Sequence, residues 1–270
     1  MSIRRFFKVK SGLVSINNFR KFIGWEVFWN AVRNDFRLRI LSDLPRGKVL
    51  VLAPHPDDDI LGCGGAICKH KKSEDHVRIV FLTDGSGGGR EIRLTSSERK
   101  KLVVEREEEA RQAAEIIGAK DLEFWRYRDN ELISSGAIIR LLSNLIERFS
   151  PEIIYVPSFL DPHPDHWETA KVFALALKEL KDFKGRIFSY ETWLPLYANR
   201  IVIINAEIKK KTEALRQHKS QLDCREYLEG ITGLNRYRGG MFGAGKYAEG
   251  FFETDKKLFL QLFELIEFEK

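Results

Sequence analysis

The sequence has few of the features that mark membrane-spanning, disulfide-rich or fibrous proteins. None of its apolar runs approaches the roughly 18 residues that a membrane-spanning helix requires. Three cysteines without a CxxC pair argue against a disulfide framework and against a cysteine zinc site. Only 8 prolines and 20 glycines in 270 residues exclude collagen-like and linker-dominated chains. The first 19 residues lack the apolar core of a secretory signal, so we expect a cytoplasmic protein.

The positive charge is concentrated in the first 48 residues. The whole chain has a formal net charge of +6, whereas residues 1–48 alone carry eleven basic and three acidic residues. The remaining 222 residues therefore have a slight negative excess of −2. A near-neutral body argues against a nucleic-acid-binding protein, for which a basic body would be expected.

The N-terminal segment is both basic and aromatic. We predict a helical segment at 1–46, followed by one domain at 47–270. Apolar residues within 18–41 recur at roughly helical spacing, which predicts a helix with a broad apolar face. We expect this helix to pack on its own domain or on another subunit of a homo-oligomer. The alternative is peripheral membrane association, with residues 1–41 lying on an anionic surface.

From residue 49 onward, short apolar runs alternate with helical patterns. Thr95 and Glu98 have the spacing of a capping box, and Gly118 is a natural helix end. Strands are predicted at 49–53, 77–82, 122–127, 153–156, 186–190 and 201–204. Helices are predicted at 60–72, 95–117, 137–149, 167–180, 206–217 and 254–268. This alternation predicts an α/β fold, Rossmann-like, with a mostly parallel sheet and helices on both faces.

Open sheets of this class place their sites beyond the carboxyl ends of the strands. Four segments lie there in the predicted fold: 54–59, 83–90, 128–129 and 158–166. The first and last are rich in histidine and carboxylate residues, PHPDDD at 54–59 and DPHPDH at 161–166, and hold three of the six histidines. Either segment alone is compatible with a polar turn. Two such segments, each of which follows a buried strand, favour one shared site.

These residue types are the ligands that a catalytic zinc ion uses. Such an ion takes three nitrogen or oxygen ligands and leaves one position open for water. His55, one carboxylate and one histidine of the second segment would supply that set. A further carboxylate is then free to act as a base, and the other histidine as an acid.

At these residues the sequence resembles the LmbE/PIG-L family of zinc-dependent N-acetylglucosamine deacetylases. The family's first motif, (A/P)-H-P-D-D-E, corresponds to PHPDDD, and its second motif, H-P-D-H, corresponds to 163–166. The resemblance covers roughly residues 47–252. Weaker matches lie at 83–85 (TDG), 106–109 (RxxE), 128–129 (RD), 218–221 (HKSQ) and 248–251 (AEGF).

The resemblance implies a hydrolase that acts on a carbon–nitrogen bond other than a peptide bond. The substrate would be an N-acetylated amino sugar, as an N-acetylglucosaminide or a glycoconjugate. The cofactor would be Zn²⁺ or another divalent metal. The implied metal ligands are His55, Asp58 and His166. One departure from the family pattern is Asp59, which stands where the family usually has glutamate and is one methylene shorter.

The resemblance also implies a role for each of the other motif residues. Asp57 would be the general base that activates a metal-bound water. His163 would be a protonated electrostatic catalyst beside the forming oxyanion, and Asp165 would orient a motif histidine. The implied substrate-binding residues are Arg106, Arg128 and Asp129.

Several residues also have a simpler structural interpretation. Arg106 and Glu109 have the spacing of a solvated helix face, and Arg128–Asp129 would equally suit a structural ion pair. Trp193 and His218 favour a core or helix-surface position over a chemical role. Residues 237–245 have the composition of a mobile loop. The competing functional hypothesis is a non-catalytic sugar- or metal-binding protein on the same fold.

Overall fold

The computed structural model describes residues 36–88 and 94–267. The strands, in chain order, are β1 (Arg39–Leu41), β2 (Val49–Ala53), β3 (Val77–Thr83), β4 (Asp121–Tyr127), β5 (Ile153–Pro157), β6 (Arg186–Tyr190), β7 (Arg200–Ile203) and β8 (Ala248–Thr254). The helices are α1 (Asp58–Lys72), α2 (Ser96–Ile117), α3 (Gly136–Phe149), α4 (Pro164–Glu179), α5 (Ile208–Leu215), α6 (Lys219–Leu222), α7 (Tyr227–Met241) and α8 (Lys256–Glu267).

The strands form a single mixed sheet in the order β1-β7-β8-β6-β5-β2-β3-β4. All neighbours are parallel except β8, which runs antiparallel between β6 and β7. The chain builds outward from β2 through β3 to β4, and then returns to place β5 on the other side of β2. The strand order therefore reverses between β2 and β5, and this reversal opens a crevice at their carboxyl ends.

Strand β2 shows why the sheet is covered on both faces. Its five residues are all buried, with Val49 and Val51 in one apolar cluster and Leu50 and Leu52 in another. Because alternate side chains of a strand point to opposite faces, each cluster lies on its own side of the sheet. Helices α1, α2 and α5 contribute to the first cluster, and α3, α4 and α8 to the second. The predicted mostly parallel α/β fold is thus confirmed.

Helix α2 begins and ends at the residues that the sequence predicts. Thr95 and Glu98 form a reciprocal capping box, with the Glu98 backbone N–H donating to the Thr95 hydroxyl. Gly118 adopts the left-handed conformation, with φ of 82°, that ends many helices.

The C-terminal third differs most from the sequence prediction. Residues 248–254 form a strand, so the last helix begins at Lys256 and not at 254. Residues 237–241, predicted as part of a mobile loop, belong to helix α7. The short strand β1 and helices α6 and α7 were not predicted, because their local patterns are too weak or too rich in glycine to indicate a regular element.

Of the predicted N-terminal helical segment, residues 1–35 lie outside the described residues. The helix prediction is wrong for the end of the 18–41 pattern, since Arg39–Leu41 form strand β1. From Leu38 onward the described residues belong to one compact unit. Strand β1 pairs with β7 at the sheet edge, with Ile40 opposite Ile201, so these residues join the sheet although they precede the predicted boundary at 46. Within 36–88 and 94–267, no helix is long and apolar enough to cross a membrane. Membrane contact, oligomer formation and the division at 46 stay predictions.

Candidate functional site

A cavity of about 330 Å³ lies at the crevice between β2 and β5. Three of the predicted strand-end segments contribute His55, Asp57, Asp129 and His163 to its wall, and Gly87 comes from the fourth. The four segments therefore meet at one place, as the parallel-sheet rule predicts.

The first motif forms a tight turn that leads from β2 into α1. The backbone N–H of His55 donates to Asp58 Oδ2 at 2.9 Å, and His55 Nδ1 lies 3.0 Å from the same oxygen. Asp57 occupies the N-cap position of α1, but its side chain makes no capping hydrogen bond. Its carboxylate instead lies at the cavity, with Oδ2 3.1 Å from Arg106 Nη2. Local folding thus presents two adjacent carboxylates in different settings.

The second motif leads from β5 into α4. His163 is the N-cap of α4, and its Nδ1 accepts a hydrogen bond from the backbone N–H of Asp165 at 3.2 Å. His166 lies in the first turn and is fully buried. Its Nδ1 lies 3.0 Å from Thr192 Oγ1 and 3.3 Å from Asp161 Oδ2. These contacts hold the ring with Nε2 toward the first motif, 3.2 Å from Asp58 Oδ2.

The donor set fits a divalent metal. His166 Nε2 is buried and forms no well-directed hydrogen bond within the described structure, although Asp58 Oδ2 lies 3.2 Å away, and a buried polar atom of this kind is costly unless another group satisfies it. Asp58 Oδ2 lies within 3.2 Å of both this nitrogen and His55 Nδ1. Ring nitrogens of His55, His163 and His166 also lie within 4.8 Å of one another. Two imidazoles and a carboxylate form the type of ligand set that Zn²⁺ and related ions use.

His55 is held from its other side by two carboxylates. Its Nε2 lies 3.1 Å from Asp165 Oδ2 and 3.4 Å from Asp129 Oδ1. Asp165 also accepts the backbone N–H of Asn130 at 2.7 Å. A histidine that contacts a carboxylate through one nitrogen presents the other in a fixed orientation, as in many metal sites. The contact that the resemblance implies for Asp165 is therefore present, with His55 as the oriented histidine.

The many charged groups at the site shift the pKa values of its histidines and of Asp57 in the metal-free protein. Burial lowers the pKa of His166, but Asp58 and Asp161 outweigh it and raise the value to about 9. Burial also lowers the pKa of His55, and hydrogen bonds to Asp129, Asp165 and Asp58 raise it further than burial lowers it. Burial raises the pKa of Asp57 to about 7, and Arg106 opposes this shift. When no metal is bound, His55 and His166 would therefore be protonated at neutral pH, and their positive charge would take the place of the metal's.

His163 differs from the other two histidines. Burial lowers its pKa, and the positive charges of His55 and His166 lower it further. Its Nδ1 accepts a backbone N–H, so the neutral ring carries its proton on Nε2. The resemblance implies a protonated His163, whereas the surroundings in this structure favour the neutral ring as a hydrogen-bond donor.

Arg106 is buried at the centre of the site, only 2% exposed. It donates to Gly85 O at 2.8 Å and to Pro56 O at 3.3 Å, besides its pairing with Asp57. A Cβ atom at Gly85 would lie 2.6 Å from Arg106 Nη1, and φ of 63° there also favours glycine. The interpretation of Arg106 as part of a solvated helix face is wrong, since this side chain joins two site loops.

The other two predicted substrate-binding residues, Arg128 and Asp129, lie in different surroundings. Asp129 is buried at the cavity and accepts the backbone N–H of Gly87 at 2.9 Å. Arg128 has a 54% exposed side chain and pairs with Glu131 at 2.9 Å. It does not line this cavity, so the structure does not bring it together with the other site residues. Asp59 is buried behind the site, and its Oδ1 has no hydrogen-bond partner among the described residues, as suits a side chain one methylene short.

The C-terminal part of the chain completes the cavity wall. The residues that it contributes are Trp193, Gln221, Arg225 and Tyr227. Sequence patterns did not single out Arg225 and Tyr227, and Trp193 was expected in the core or on a helix surface. Gln221 belongs to the HKSQ segment, which was the one available signal for this region. His218 of the same segment, for which a core or a helix-surface position was predicted, is fully buried.

Comparison with known proteins agrees with this geometry. A model of the family described as "PIG-L: GlcNAc-PI de-N-acetylase" matches residues 50–177. A probable N-acetyl-alpha-D-glucosaminyl L-malate deacetylase 2 of Bacillus anthracis is 30% identical over 200 residues, which are 68% of this chain and 88% of the relative. A diacetylchitobiose deacetylase of Thermococcus kodakarensis is 31% identical over 224 residues, 75% of this chain and 81% of the relative.

A solved structure supports the same relationship. The N,N'-diacetylchitobiose deacetylase of Pyrococcus horikoshii superimposes with a TM-score of 0.72 and 25% sequence identity. The match covers 94% of this chain and 97% of that enzyme. Because relatives at 30% identity are matched over most of their length and the family motifs converge in space, the chain belongs to the PIG-L (LmbE-like) family of deacetylases.

Proposed function

We propose that this protein is a metal-dependent hydrolase that removes the N-acetyl group from an N-acetylated amino sugar, either an N-acetylglucosaminide or a conjugate of it. The observation that carries the proposal is the convergence of His55 Nδ1, Asp58 Oδ2 and His166 Nε2 beside the carboxylate of Asp57. The named relatives remove acetyl groups from sugars or sugar conjugates, which supports the substrate class.

His55, Asp58 and His166 would hold the metal, with Zn²⁺ as the proposed ion. When bound, Zn²⁺ would polarise the acetamide carbonyl and lower the pKa of water at the site. Asp165 would keep His55 oriented through its 3.1 Å contact with Nε2. Asp161 and Thr192 would do the same for His166 through Nδ1.

Asp57 would be the base that takes a proton from the attacking water. Arg106 engages Oδ2 of Asp57, which leaves Oδ1 to accept the proton. Water oxygen would bond to the acetyl carbon, and the carbonyl electron pair would move to oxygen. The Nε2–H of His163 would donate to that oxyanion, a kind of stabilisation whose removal typically costs ~10²–10³ in rate. The carbonyl would then re-form as the C–N bond breaks, and Asp57 would return its proton to the departing nitrogen. The products are a free amine and acetic acid, which loses its remaining proton to solvent to give acetate.

The remaining polar side chains of the cavity would position the sugar. Arg106, Asp129, Asn130 and Gln221 line the wall next to the catalytic residues. Guanidinium, carboxylate and amide groups match the donors and acceptors of sugar hydroxyls. A few convergent polar groups in a small cavity are typical of ligand sites.

An acetate-release assay on zinc-loaded protein tests the proposal. The panel would contain free N-acetylhexosaminides and lipid-linked, nucleotide-linked and other conjugates, with Asp57→Asn protein as the matched control. Acetate release by the wild type, lost in the control, supports the proposal. Sugar binding by calorimetry without acetate release from any substrate would instead indicate the non-catalytic sugar-binding alternative.

A further inference from the structure

The mouth of the cavity carries an exposed arginine, Arg225, which follows helix α6. Its guanidinium carbon lies 4.5 Å from the centre of the Trp193 ring, well within the range of cation–π contacts. The Trp193 ring lies 5.8 Å from the His163 ring and 6.2 Å from the Tyr227 ring. Arg225 is therefore held at the site by its contact with Trp193, whose ring in turn lies next to that of His163.

Among the described residues, Arg225 has no ion-pair partner, in contrast to the other arginine in the cavity. Arg106 is buried and pairs with Asp57 at 3.1 Å. Arg225 forms no ion pair with any residue of 36–88 or 94–267. Stacking on an indole face occupies the plane of the guanidinium and leaves its N–H groups free at the edge. Those N–H groups match a carboxylate or a phosphate in two-point geometry.

The size of the cavity indicates which part of a substrate would meet Arg225. A volume of about 330 Å³ is at the lower end of the ~300–1,000 Å³ range of small-molecule sites. An amino sugar with its acetamide next to Asp57 would occupy this space. The group attached to the sugar must then extend over the rim, where Trp193 is 39% exposed and Arg225 is exposed.

We propose that Arg225, held against Trp193, is a specificity-determining residue that binds an acidic group, a carboxylate or a phosphate, on the aglycone of the substrate. The inference rests on the proposed function, because it assigns the part of the substrate beyond the acetylated sugar. It predicts that the enzyme prefers acidic conjugates of N-acetylglucosamine to neutral ones of similar size.

Three probes distinguish the two sources of negative charge. They are N-acetylglucosamine 1-phosphate, the malate α-glycoside of N-acetylglucosamine, and the methyl α-glycoside as neutral reference. The quantity measured is kcat/KM for acetate release from each acidic probe divided by that from the neutral probe. We expect the wild-type ratio to exceed one for at least one acidic probe and to fall as NaCl is added, since exposed charge pairs are screened by salt.

Substitutions at Arg225 then assign the preference. Arg225→Gln should lower the ratio about 10-fold or more, as expected for the loss of a charge-assisted hydrogen-bonded pair. Arg225→Lys should retain part of it, because charge remains without the two-point geometry. Arg236→Gln is the matched control, since Arg236 is an exposed arginine on α7 that does not line the cavity. Its ratio should equal that of the wild type.

The outcomes separate the two proposals. Acetate release from the neutral probe, with a wild-type ratio near one or a ratio unchanged in Arg225→Gln, would overturn the acidic subsite and leave the proposed function intact. Absence of acetate from all three probes and from the wider panel would overturn both. Thermal unfolding of each variant checks that an exposed substitution has left the fold unchanged.

Discussion

Replacement of Lys211 by methionine should strongly destabilise the protein, because Lys211 belongs to a fully buried ion pair. Lys211 Nζ lies 2.7 Å from Glu249 Oε1, and each residue is only 1% exposed. The pair links helix α5 to strand β8. Methionine keeps most of the side-chain volume but removes the charge and the three N–H donors.

The pair lies at a break in helix α1. Cys63 has φ of −142° and ψ of 20°, which are not helical values. Lys211 Nζ donates to Leu61 O at 2.9 Å, before the break. After it, the backbone N–H groups of Gly65 and Ala66 donate to the Glu249 carboxylate at 2.8 and 2.7 Å. The two side chains thus satisfy backbone groups that an unbroken helix would pair within itself.

The magnitude follows from the uncompensated charge that the substitution leaves behind. Removal of one partner of a buried ion pair typically costs 3–5 kcal/mol, since the other charge stays buried, so we expect about 4 kcal/mol here. That is a large share of the ~5–15 kcal/mol total stability of a typical protein. In a domain of this size each kcal/mol lowers Tm by about 2–4 °C, so Tm should fall by roughly 8–16 °C.

Urea and thermal unfolding of the metal-free protein measure this effect. Lys210→Met is the matched control, because Lys210 is the exposed neighbour on the same helix and loses the same charge. Its stability should stay within about 0.5 kcal/mol of the wild type. The double variant Lys211→Met/Glu249→Gln should be less destabilised than the sum of its two single variants, because neither charge is left alone. If Lys211→Met lost less than about 1 kcal/mol, the account of the buried pair would be wrong.

Four further predictions concern the site and the N-terminal segment. His166→Ala should lose most of the bound zinc in metal analysis while the wild type retains it; tight stoichiometric binding by the variant would exclude His166 as a ligand. Asp57→Asn should keep the metal but abolish acetate release, and near-normal turnover would identify another base. His163→Ala should lower kcat more than it raises KM, because the oxyanion contact exists only in the transition state; a sharp rise in KM alone would make His163 a binding residue. Deletion of residues 1–35, which leaves β1 intact, should destabilise the fold or change the oligomeric state in light scattering; salt-sensitive binding to anionic vesicles that disappears on deletion would instead support the membrane alternative.

The two histidine–carboxylate motifs of the candidate site could be predicted from the sequence because their determinants are local. His55 and Asp58 are three residues apart just after β2, and His163 and His166 are three residues apart at the start of α4, the helix that follows β5. Once two buried parallel strands are identified, their carboxyl ends must lie at the same edge of the sheet. The convergence of two motifs that are 108 residues apart then requires no further information about the fold.

The mouth of the cavity could not be predicted in the same way. Trp193 follows β6, whereas Arg225 and Tyr227 lie between β7 and β8. Their position depends on the antiparallel insertion of β8 between β6 and β7, which turns the last part of the chain back over the strand ends. No local pattern encodes that insertion, since an apolar strand has the same appearance in either direction.

Helix α2 shows how a tertiary contact changes the meaning of a local pattern. Arg106 and Glu109 are spaced as on a solvated face, yet both are buried. Arg106 joins the loops that contain Gly85 and Pro56. Glu109 accepts the backbone N–H and the hydroxyl of Ser220 at 2.8 and 2.7 Å. Burial of such charges contributes little net stability even when they are well paired. One turn of α2 therefore fixes the loops that contain Pro56 and Gly85 relative to the segment that carries Gln221, and this positioning, more than stability, explains why charged residues occupy it.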